Sequence, residues 1–198
     1  MKKIKYYSFC TKDTRNFNSI FYHHNDGKFL LRECYFDLLC KKCGKFDEIK
    51  SIKRGLAECD IHEKKVDMFG TEEGLICVSK RLKSILENAG VKHLDYYFAP
   101  SARAAEYFII IPTRAIPVNK QCYQFTKKCN ICGRYESVNG WPSSLEMELP
   151  QEPLAICIPD IPNEKPSGLY FDYMASEDVI KLLKAEKITG VQAVRIYP

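Results

Sequence analysis

An α+β fold built of two similar helix–strand halves is what this sequence of 198 residues predicts, and three observations carry the prediction. A Cys-x-x-Cys-Gly turn occurs twice, at residues 40–44 and 129–133. Each turn is followed further along by an amphipathic stretch opened by serine, the pattern of a capped helix. Short β-rich runs ended by proline or glycine fill much of the rest, which implies short mixed or antiparallel sheets. The length is that of one domain, 1–198, divisible into two pseudo-repeats at about 36–100 and 125–198.

The elements follow in chain order. Met1-Lys2-Lys3-Ile4-Lys5 has the charge of a leader but neither its apolar core nor a small-residue cleavage site. No run of about 18 apolar residues exists, so the expectation is a cytoplasmic chain without a membrane span. In Cys40-Lys41-Lys42-Cys43 the two intervening residues let one tight turn aim both sulfurs at one point. Gly44 supplies the positive-φ residue behind them. Ser79 caps a helix over about 79–89, with Leu82, Ile85, Leu86 and Ala89 on its apolar face, Lys83 outward and Gly90 stopping it. A strand is expected over 91–98, and another over 107–111 before Pro112.

The second turn, Cys129-Asn130-Ile131-Cys132-Gly133, repeats the first. Residues 139–153 read as loop or hairpin, 154–158 as a strand stopped by Pro159, and 159–168 as loop. Ser176 caps a helix over about 176–187 with Val179, Leu182 and Leu183 on its apolar face and Lys184 outward. A strand closes the chain over 191–197. Placing Ser79 on Ser176 superposes the two helices, so the order knuckle, helix, strand occurs twice and the helices are expected in similar settings about a pseudo-twofold.

The chemistry lies in the cysteines. Ten thiols in a reducing compartment point to metal rather than disulfides. Structural zinc takes four ligands and each turn offers two, so Cys40, Cys43, Cys129 and Cys132 are expected to close as thiolates on one ion. That makes the pair zinc-ribbon-like. A local alternative joins Cys40 and Cys43 to Cys59 and His62, leaving Cys129 and Cys132 to find Cys122 or Cys157. Thioredoxin-type redox chemistry is a further one, disfavoured by the glycine after each pair. Cys10, Cys34, Cys77 and Cys157 read as buried thiols.

No catalytic string accompanies the knuckles. His23, His24, His62 and His93 sit in no metalloprotease or deaminase pattern, and the ten glycines form no phosphate loop. The net charge of +5 is scattered, a weak case for nucleic acid. The reading is a non-catalytic binding protein with a structural zinc.

Two CxxCG knuckles with Val78-Ser79-Lys80-Arg81-Leu82-Lys83 opening a helix between them resemble the bacterial double-CXXCG-motif family, over roughly residues 30–198. The ending Ile188-Thr189-Gly190-Val191 is similar too. The resemblance implies an immunity protein that neutralises a cognate toxin encoded by an adjacent gene, and an acidic or neutral partner surface suits the positive charge. Tyr22, Tyr135 and Trp141 are candidate interface aromatics. The alternative is a zinc-ribbon nucleic-acid-binding or regulatory protein, which would gather its charge on one basic face and bind with steep salt dependence.

Overall fold

The computed structural model describes residues 4–12, 18–57, 59–62, 65–100, 106–117, 120–140, 149–160, 163–165, 168–170 and 173–195. In chain order, strands β1 (Tyr6–Thr11), β2 (Tyr22–Asn25) and β3 (Lys28–Leu31) precede a 3-10 turn over Glu33–Leu38 and helix α1 (Glu48–Arg54). Strands β4 (Met68–Gly70) and β5 (Ile76–Ser79) lead into α2 (Lys80–Asn88), then β6 (Leu94–Ala99), β7 (Tyr107–Pro112) and β8 (Ala115–Ile116). The remainder holds β9 (Tyr123–Phe125), β10 (Val138–Gly140), β11 (Ile156–Pro159), β12 (Asn163–Lys165) and β13 (Gly168–Tyr170). It ends with β14 (Met174–Ser176), α3 (Glu177–Ala185) and β15 (Val191–Arg195). The class is α+β, with few helices and several short, mostly antiparallel sheets. Among the described residues no helix is long and apolar enough to cross a membrane.

Two sheets carry the body. One runs β4-β5-β7-β6, and the other runs β15-β1-β14-β11-β8. In the first, β5 leads through α2 to β6, with β7 antiparallel between them. In the second, β14 leads through α3 to β15, with β1 antiparallel between them. The N-terminal strand thus occupies in one sheet the place that β7 holds in the other. The register agrees as well: the cap residue Ser79 pairs with Tyr107, and Ser176 pairs with Tyr6.

Backbone hydrogen bonds repeat in the same way. Lys80 N donates to Glu106 O at 3.1 Å, and Glu177 N donates to Lys5 O at 2.8 Å. Val91 N closes α2 on Leu86 O as Ile188 N closes α3 on Leu183 O, each at 3.0 Å. These closures explain why β6 begins at Leu94 rather than at residue 91, since 91–93 are spent leaving the helix. The backbone turns left-handed at matching positions, Gly90 and Lys187, then His93 and Gly190. Each half places glycine at only one of the two.

The caps differ. Ser79 Oγ accepts from Leu82 N at 3.1 Å and donates to Asp67. Burial alone would raise the Asp67 carboxyl, but donors from Thr189, Ser79 and Arg81 hold it below its ordinary value. Ser176 Oγ donates instead to Pro153 O at 2.5 Å, and the first turn of α3 carries Glu177 and Asp178 against the helix dipole. Buried faces are Leu82 and Leu86 on α2, and Val179, Ile180 and Leu183 on α3. Leu182, expected on that face, is only half-buried. Lys184 is exposed as expected. Lys83 is not: its ammonium lies 5.1 Å from the Tyr96 ring centroid and 5.3 Å from that of Phe108, and it pairs with Glu87.

Residues from both helices and both sheets, among them Phe9, Phe69, Leu82, Ile109, Ile156, Val179 and Leu183, form one buried cluster. Within the stretch read as loop, β12 pairs with β13. Its polar Asn163-Glu164-Lys165 offers no apolar alternation to betray a strand. The end of the closing strand, 196–198, lies outside the described residues.

Gly190 lies tight against the backbone of β4. Its φ is +84°, and a Cβ there would sit 1.8 Å from Met68 O. We expect Gly190→Ala to cost about 3 kcal/mol or more by urea unfolding. Gly27→Ala, at φ +75° with open space around it, should cost about 1–2 kcal/mol.

Candidate metal centre

Each knuckle is a closed turn with the same wiring. In the first, Cys40 N donates to Lys45 O at 2.9 Å and Gly44 N to Cys40 O at 2.8 Å, with Gly44 at φ +69°. In the second, Cys129 N donates to Arg134 O at 2.8 Å and Gly133 N to Cys129 O at 2.9 Å, with Gly133 at φ +74°. One bridge flanks each turn, Leu39 with Phe46 and Lys128 with Tyr135. The positive φ turns backbone amides toward the sulfurs. The amides of Cys43 and Lys42 pull the Cys40 thiol down to about 6, and those of Cys132 and Ile131 lower Cys129. Cys43, lowered by the Lys45 amide but raised by desolvation and by the neighbouring thiols, ends at about 11.

The two turns meet although 89 positions separate them. Sγ of Cys40 lies 3.8 Å from Sγ of Cys129, and Sγ of Cys43 lies 3.6 Å from Sγ of Cys132. All four sulfurs fall within 4.8 Å of one another. A tetrahedron with metal–sulfur distances of about 2.3 Å has edges of about 3.8 Å, so the set is able to hold a metal such as zinc.

Reciprocal braces lock the pair. Lys45 Nζ donates to Tyr135 O at 2.5 Å, and Arg134 donates to Phe46 O. Lys45 and Arg134 follow their glycines at the same step, so each knuckle reaches for the same carbonyl of the other. Arg134 also donates to Lys45 O at 2.8 Å and stands 3.8 Å from the buried Glu48 carboxylate. Lys42 Nζ donates to Asn130 Oδ1 at 2.7 Å. A basic residue directly after each CxxCG was the sequence signal for these braces, and it passes unnoticed when only ligands are sought.

The local finger does not assemble. Cys59 is buried with its Sγ on Ala57 O at 3.4 Å, and His62 is exposed. The side chain of Cys122 lies outside the described residues. Cys77 and Cys157 are buried thiols as expected, whereas Cys10 is half-buried and Cys34 exposed on the outer side of the 3-10 turn. Tyr22 and Tyr135 are half-buried rather than open, because Tyr22 begins β2 and Tyr135 packs on Phe125 with ring centroids 4.8 Å apart. Trp141 lies outside the described residues.

We expect one zinc per chain by elemental analysis, and its loss with loss of solubility in Cys129→Ser/Cys132→Ser. Full zinc in that variant would return the local finger. Metal competes with protons for the thiols, so affinity should fall with pH. The fall should steepen below about pH 6, where Cys40 takes up its own proton. Chelator titration across pH reads this directly.

No family model matches the chain, and no curated protein matches it either.

Proposed function

We propose that this chain is a non-catalytic zinc-binding protein that acts by occluding a protein partner, a cognate bacterial toxin. The observation that carries the zinc part is the convergence of Cys40, Cys43, Cys129 and Cys132 from two distant segments. Bound there, zinc supplies a structural cross-link, since four thiolates complete its shell and leave no position for water or substrate. The residues themselves do the rest: backbone amides stabilise the thiolates, and Lys45 and Arg134 hold the turns together. Closing so long a loop couples metal binding to folding.

The toxin part is supported by the resemblance of the two CxxCG turns and the Ser79-led helix to the double-CXXCG family. A second reading, nucleic-acid binding, is favoured by one observation. Lys42 and Lys45 of the first knuckle and Lys127, Lys128 and Arg134 of the second, two groups far apart in the sequence, line one cleft where the knuckles meet.

Co-expression tests the reading. The product of the adjacent gene should be toxic alone, be neutralised beside this chain and co-elute with it by size exclusion. Equal toxicity with no complex would overturn the immunity reading. Oligonucleotide binding that weakens steeply with salt would then favour the second.

A further inference from the structure

We infer that the partner docks on the knuckle face, presenting an acidic surface with a pocket for Ile131. The inference rests on the partner-binding reading above and adds the surface and its chemistry. A cleft of about 310 Å³ opens between the knuckles, lined by Lys42, Lys45, Lys127, Lys128 and Arg134, with Glu136 as its one carboxylate. In the second turn, between Cys129 and Cys132, Ile131 is 65% exposed, and Phe125, 37% exposed, packs at a tilt on Tyr135 of the cleft wall with ring centroids 4.8 Å apart. Large apolar side chains ringed by charge are the anatomy of a protein interface, an anchor within a polar rim. The scaffold beneath is braced in both directions, so little ordering opposes binding.

Charge selects the class of partner. Zinc with four thiolates contributes a formal charge of about −2 at this face. Lys42, Lys45 and Arg134 already spend hydrogen bonds on Asn130, Tyr135 and Phe46. What faces outward is a modest positive rim led by the exposed Lys41, Lys127 and Lys128. That suits a few carboxylates of a protein better than a phosphate chain, which needs many cations. An exposed aliphatic side chain such as Ile131 fits an apolar pocket on a protein partner.

The test compares wild type, Lys127→Glu/Lys128→Glu, Ile131→Asp and, as a remote control, Lys184→Glu on α3. Zinc content and circular dichroism confirm that each variant is folded. Calorimetry against the product of the adjacent gene, at low and high salt, reads the affinity. We expect the charge pair and Ile131→Asp each to weaken binding by at least about tenfold. The charge pair should also flatten the salt dependence, and Lys184→Glu should leave binding unchanged. Binding by both knuckle variants within about twofold of wild type overturns the docking face while the partner reading stands. No binding by wild type overturns both. Tight, salt-steep binding of a fluorescein-labelled oligothymidylate, abolished by the charge pair, overturns the inference in favour of nucleic acid.

Discussion

The meeting of four thiols is the constraint on which the rest of this structure depends. Two tight turns, 89 positions apart in the chain, must arrive with sulfurs at tetrahedral separations. Everything between them has to fold so that the gap closes. Each turn is shaped locally, by its own amide bonds and a positive-φ glycine. What the pairing adds is long-range order, and the crossed contacts of Lys45 and Arg134 supply protein donors for the same closure.

That closure is echoed through the body. The halves touch by reciprocal contacts away from the knuckles as well: Met68 N donates to Thr189 O, and Lys92 N donates to Leu154 O. One bond runs from the first half to the second half's exit turn, and the other from the first half's exit turn to the second half. The halves share a core, and their strand order agrees except that β1 serves where β7 would by analogy lie and that β8 adds a parallel edge strand to the second sheet. The N-terminus is therefore wired into the C-terminal half, with β1 clamped between β14 and β15.

Much of the local structure was legible. Ser79 and Ser176 both mark where a helix begins, but only Ser79 does so by accepting from a first-turn amide, whereas Ser176 turns its hydroxyl to Pro153 O. The knuckles were legible because thiol spacing and glycine together admit few other conformations. Less visible were α1, only seven residues long and too short to show a helical period, and β1, whose Tyr-Tyr-Ser-Phe-Cys-Thr shows no apolar–polar alternation. Glu73 was opaque too. Its buried carboxylate accepts from Ser19 Oγ and from the amides of Ile20 and Phe21, an arrangement with no local signature because those donors lie more than fifty positions away.

The sequence by itself determined the turns, the helix starts, most of each apolar face and the supply of sulfur ligands, since each depends on residues a few positions apart. Only the tertiary structure decided that the two knuckles meet each other rather than Cys59 and His62, and that the basic residues flanking each knuckle join in one cleft. It also decided that the first strand completes the last sheet. Those outcomes rest on contacts between segments far apart in the chain, where many pairings satisfy local chemistry equally. The choice among them is made by packing one shared core and by bringing the four knuckle sulfurs together.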